Sequence, residues 1–216
     1  MRTKLYLVLI MFCATAALAQ QNDWLIVPGK RLGSITSDTT RADLVRLFGE
    51  ANIRDQPVDS GEGPEPATVV FPKRPSTALA VFWQNNQMDR VMLCHQHEAG
   101  PCKWHTADKV SLGTSLRQLE ILNSRPFQIE GWGSDVSGNI TSWQGGKLAG
   151  SFGEGENRRV VLTVGWQEPP DGPTPQQRRL EDELDQQKRG PLSSDLAVRQ
   201  LRPTVTRMML LFRRQE

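Results

Sequence analysis

Cysteine, histidine and tyrosine are scarce in this chain of 216 residues, at three, three and one. The histidines stand only at positions 95, 97 and 105, so acid–base or metal chemistry based on imidazole has a single place to reside. Nucleotide-binding loops are also missing. No Gly-Lys-Ser/Thr phosphate loop occurs, and Gly131-Trp132-Gly133 has Val136 where a dinucleotide loop needs its third glycine. Ala149-Gly150-Ser151-Phe152-Gly153 has alanine at the first position of a G-x-S-x-G elbow, which removes the nearest candidate for a serine nucleophile. Exposure is the default for Asp and Glu, so no carboxylate pair stands out among the 24 acidic residues.

Only one long apolar run is present, and it lies at the start. Arg2 and Lys4 precede Leu5 to Cys13, and Ala17-Leu18-Ala19 gives the small-x-small pattern of a signal peptidase site. The run is too short for the roughly 20 residues that span a bilayer. Residues 1–19 are therefore expected to be a cleaved export signal, with the product periplasmic or secreted and without a transmembrane segment. Met11 and Phe12 stand before Cys13 where a lipobox has small residues, so no lipid anchor is expected. Cleavage would also remove the apparent basicity. Of 26 basic and 24 acidic residues, losing Arg2 and Lys4 leaves 24 of each, and a neutral chain has no excess charge with which to bind nucleic acid.

Cys94 and Cys102 are the cysteines left after cleavage, and in an oxidising compartment they are expected to pair and staple a hairpin. The same segment carries His95, His97 and His105, which are candidate zinc or copper ligands. His95 and His97 share a strand face while Cys94 points away, and oxidation takes both thiols out of the ligand set. The stapled hairpin is therefore the main expectation, and a metal site through the three histidines is the alternative. No cofactor is expected. A second cluster, Trp132, Asp135 and Trp143, sets indole rings beside a carboxylate among glycines and is a candidate sugar or peptide site.

The rest of the chain predicts an α+β fold. Trp24 to Val27 reads as a strand closed by Pro28-Gly29. Thr40, Asp43, Leu44, Leu47 and Gly49 mark a capped two-turn helix over 41–48. Strands are expected at 67–71, 78–83 and 88–94, with 59–64 a loop or bulged connection. After an interval of 75 residues, Ser115 and Gln118 make a second capping box ahead of Leu119 and Leu122. Strands near 127–130, 139–143, 147–152 and 159–166 are expected to follow. The chain thus reads as two tandem helix-plus-antiparallel-meander units, 20–106 and 107–216, packed as one body. The second unit carries an insertion at about 167–190. It holds a Pro-rich stretch, then a charged helix from Thr174 to about Arg189 that is tied down by Leu180 and Leu184. A short helix at 195–199 and a closing strand at 204–212 complete the chain.

Arg41 to Asn52, Leu112-Gly113-Thr114-Ser115, Asn123-Ser124-Arg125-Pro126-Phe127, Gly131-Trp132-Gly133-Ser134-Asp135 and Ser142-Trp143-Gln144-Gly145-Gly146 resemble a group of exported bacterial proteins without an assigned activity. More distantly, a small helical start followed by a meander, used twice, resembles the β-lactamase-inhibitor-like fold and the small outer-membrane assembly lipoproteins. Fold does not confer function, and neither inhibition nor membrane-protein assembly carries over residue by residue. The expectation is a non-catalytic exported module that binds a protein or glycan partner. Its binding surface should be an apolar or aromatic patch on a concave sheet face.

Overall fold

The computed structural model describes residues 23–95, 101–131, 138–166, 169–187 and 190–212; the expected leader, residues 1–19, and His97, Trp132 and Asp135 lie outside these ranges. Helix α1 (Arg41–Phe48) starts where its cap dictates. The Thr40 side chain accepts from the Asp43 backbone N–H, and the Asp43 carboxylate accepts from Thr40 N–H in return. Leu44 is fully buried, and Gly49 follows the helix at φ 83°, which suits glycine. Helix α2 (Leu116–Asn123) repeats half of this cap, with Ser115 accepting from Gln118 N–H. The turn before each helix also matches: Thr36 N–H donates to Thr39 Oγ1, and Ser111 N–H to Thr114 Oγ1, both at 2.9 Å.

Strands from both halves build one antiparallel sheet. Its six members run in the order β11 (Val160–Gly165), β12 (Thr204–Leu211), β7 (Gln87–Leu93), β6 (Leu79–Gln84), β5 (Pro64–Val70), β4 (Ile53–Asp59). A smaller sheet sets β1 (Leu25–Val27) antiparallel to β2 (Arg31–Leu32) and parallel to β8 (His105–Thr106), with β3 (Ile35–Thr36) outside β2. The hairpin of β9 (Gln128–Ile129) and β10 (Ile140–Ser142) abuts β11 through a bridge between Asn139 and Thr163. The fold is α+β, with helix-plus-strand units in both halves of the chain.

The two central hairpins are built alike. Ala80 pairs Met92 and Phe82 pairs Arg90, then the register shifts by one residue before Trp83 pairs Met88. In the other hairpin Val161 pairs Met209 and Thr163 pairs Arg207, then the register shifts before Val164 pairs Val205. The bulge therefore follows the same pair in each hairpin. The hairpins join through Met92 opposite Met209, so an approximate twofold axis passes through that pair. Connections differ where the sequence differs. Asn85 and Asn86, both at positive φ, turn β6 into β7, as a tight type I′ hairpin requires. Residues 166–203 separate β11 from β12 and carry α4 (Pro175–Asp185) and α5 (Leu196–Leu201).

Three expectations are corrected. Lys147–Phe152 is helix α3 rather than a strand. Leu148 and Phe152 stand one helical turn apart and both are buried, while Leu148 N–H is capped from a distance by Asn123 Oδ1. Strand β4 carries Pro57 and has no counterpart among the sequence expectations. It lies at the sheet edge, where a missing N–H costs least, and Pro57 faces Pro66 beyond the last β5–β6 pair. Helix α4 stops at Asp185, short of Arg189, although its Thr174–Gln177 capping box and its Leu184 anchor are as expected. The Cys94–Cys102 disulfide is present, with Cα atoms 5.9 Å apart, but it staples no hairpin. Cys94 follows β7 and Cys102 leads to β8, which belongs to the other sheet, so the bond closes the crossing between sheets.

Candidate functional site

The six-stranded sheet has apolar side chains on both faces. One face carries the main core, which takes in α1, α2, α3 and the small sheet. The opposite face carries a second, smaller cluster of Val58, Ala67, Val69, Ala80, Phe82 and Met92, with Met209 packed against it. This face is concave. Arg207 on β12 and the β4–β5 turn that holds Gly61 have β7 and β6 between them, three strand spacings or roughly 14 Å as far as β5 across a flat sheet at about 4.8 Å per strand. Yet a Cβ on Gly61 would lie 2.1 Å from Arg207 Nη1. The β4–β5 ribbon, free of β6 from Ala67 outward, curls over the sheet until its turn meets the far side. Gly61, at φ 101°, supplies both the turn conformation and the clearance.

Between that ribbon and the loops before β11 lies a groove of about 710 Å³. Val161, Met209 and Leu211 form its apolar floor, and Arg158, Arg207 and Glu62 stand on its walls. A fixed polar cluster occupies one end. Arg90 bridges Glu65 and Asp89, with its guanidinium 4.7 Å from the centre of the Phe82 ring. The Ser60 hydroxyl donates to Glu65. That hydrogen bond, followed by the Arg90 contact, holds the Glu65 carboxyl below its ordinary pKa against the opposing pull of burial. Both carboxylates share one arginine, Arg90. Arg207 differs from its twofold counterpart Arg90: it has no ion-pair partner among the described residues.

The sequence candidates fall elsewhere. Trp143 is buried at 4% exposure, with its ring 5.2 Å from that of Phe127 and 5.5 Å from that of Phe152. Its indole is core and cannot stack on a ligand, which corrects the expectation for this residue. Trp132 and Asp135, its proposed partners, lie outside the described residues. Of the histidines, His105 Nδ1 contacts the Thr106 carbonyl at 2.9 Å. Both ring nitrogens of His95 are buried without a hydrogen-bond partner among the described residues, and burial lowers the pKa of that ring. His97 lies outside the described residues, and among those described no three His, Cys, Asp or Glu side chains gather as a metal site.

Two residues of the motifs quoted for the resemblance, Asn123 and Gly146, hold the backbone together here. Asn123 is fully buried; its Nδ2 donates to the carbonyls of Arg125 and Trp143, and its Oδ1 accepts from Leu148 N–H. Gly146 is required beside it, since a Cβ there would sit 2.2 Å from Asn123 Oδ1. No family model, curated protein or solved structure matches this chain.

Proposed function

We propose that this protein is an exported, non-catalytic binding module that seats part of a protein partner in the concave groove of its sheet. The observation carrying this reading is the groove itself. An apolar floor of Val161, Met209 and Leu211 lies next to an arginine, Arg207, that has no ion-pair partner among the described residues. Apolar contact area with an unneutralised guanidinium beside it suits a polypeptide segment that offers both a hydrophobic side chain and a carboxylate. Export is supported by the leader pattern of residues 1–19 and by the Cys94–Cys102 bond, which persists in oxidising compartments. Tandem duplication is supported by the matched caps, the matched bulges and the axis through Met92 and Met209. On this reading the concave face is formed jointly by two copies of one unit, and the second copy has acquired α4 and α5.

The reading is tested by crosslinking the exported protein in its native compartment and identifying what it captures. Arg207→Glu and Val161→Asp change only half-exposed groove residues and should leave the fold intact. Each is expected to cut capture of the wild-type partner at least tenfold. A partner captured equally well by both variants would rule out the groove.

A further inference from the structure

A second surface lies away from the groove. Helices α2 and α5 meet through side chains and one backbone bond: Leu116 N–H at the start of α2 donates to the Pro203 carbonyl after α5, and Glu120 of α2 accepts from Ser193 and Arg199. The large apolar side chains that stand exposed among the described residues, Ile121 at 68%, Leu196 at 71% and Leu192 at 37%, all belong to this pair of helices and the turn before α5. The helices frame a depression of about 780 Å³ walled by Arg117, Arg199 and Arg202, with Glu120 the acidic residue of the lining. Glu120 is already engaged by Arg199. Arg117 and Arg202 have no partner among the described residues.

We propose that the α2–α5 face docks onto an anionic lipid surface. The inference is independent of the groove. Charge complementarity selects the occupant's sign, since three arginines outnumber two acids, Glu120 paired with Arg199 and Asp195 accepting from Leu192 N–H. The placement of the apolar groups selects its kind. Ile121 and Leu196 protrude and leave two-thirds or more of their surface in water, whereas a groove for a peptide sinks its apolar groups into the floor. Protruding aliphatic side chains with arginines behind them match a bilayer interface, where the aliphatics enter the acyl boundary and the guanidinium groups meet phosphates. A chain with no lipid attachment expected and no membrane-crossing helix among its described residues would be held reversibly at the membrane by such a face.

The test uses the exported form from Gln20 onward, because the apolar leader would bind membranes by itself. Sedimentation is measured at 150 mM salt with vesicles of phosphatidylcholine containing about 30% phosphatidylglycerol, and with pure phosphatidylcholine. At least fivefold stronger binding to the anionic vesicles is expected. It should fall at least fivefold in Ile121→Glu/Leu196→Glu and again in Arg117→Glu/Arg202→Glu, with unchanged thermal unfolding showing that each variant folds. Failure of the wild type to bind, equal binding to both vesicles, or wild-type binding by either variant overturns the proposal. Binding of a glutamate- and leucine-rich amphipathic peptide in place of vesicles would also overturn it, and would assign the face to an acidic protein.

Discussion

Asn123 shows how much a single polar side chain organises here. It ties the end of α2 to the carbonyl after β10 and to the start of α3 through buried hydrogen bonds. Replacement by alanine would strand the buried Leu148 N–H, take one of two donors from the Trp143 carbonyl, remove the bond to the Arg125 carbonyl and leave a void in the buried space the amide fills. A stranded buried group costs about 1–3 kcal/mol, so together with the void Asn123→Ala should lower the unfolding free energy by about 2–4 kcal/mol, measured by urea denaturation. His95 gives a pH signature. Its pKa is depressed by burial, so below the unfolded value near 6.5 the unfolded chain binds a proton that the folded chain does not. Stability is thus present above about pH 6.5 and falls as the pH drops through that value toward the folded pKa. Wild-type denaturation midpoints should fall between pH 7.5 and 5.5, and those of His95→Leu should stay flat over the same interval. A further decline at lower pH should persist in both, as Asp55 and Glu65, both held at depressed pKa, take up protons.

At the scale of elements, the disulfide and the edge ribbon do different work. The Cys94–Cys102 bond ties the main sheet to the small sheet, so its loss should loosen their docking as well as free the unfolded chain. Cys94→Ser/Cys102→Ser is expected to lose about 2.5 kcal/mol, readable as a lower denaturant midpoint. The β4–β5 ribbon owes its freedom to its prolines. Pro57 and Pro66 face each other beyond the reach of β6, so the ribbon leaves the plane of the sheet and can close over the groove. Helix α1 anchors the base of the same ribbon. Arg41 pairs with Asp55, Asp55 accepts from the Thr68 hydroxyl, and Thr68 accepts from Trp83 Nε1 at 2.9 Å.

For the whole molecule, capping and turn chemistry were local and therefore legible. Thr40 with Asp43, Ser115 with Gln118 and Thr174 with Gln177 each mark a helix start within four residues, and the helices begin where these pairs stand. The apolar strands 67–71, 78–83 and 88–94 were legible because alternation and turn residues act over the same short range. Helix α3 was not legible, because its N-terminal cap comes from Asn123 on another element. Trp143 was misread for the same reason: a tryptophan among glycines looks alike in a binding site and in a core until Phe127 and Phe152 are found against it. The candidate groove was invisible at the level of sequence. Arg90 and Arg207 are separated along the chain, and only the pairing of Met92 with Met209 sets them on one face. The sequence by itself determined the α+β class and the helix starts, because each rests on interactions between near neighbours. Only the tertiary structure decided which face of the sheet is concave, which arginine is left unpaired and which tryptophan is buried, because these depend on strand pairing across the whole chain.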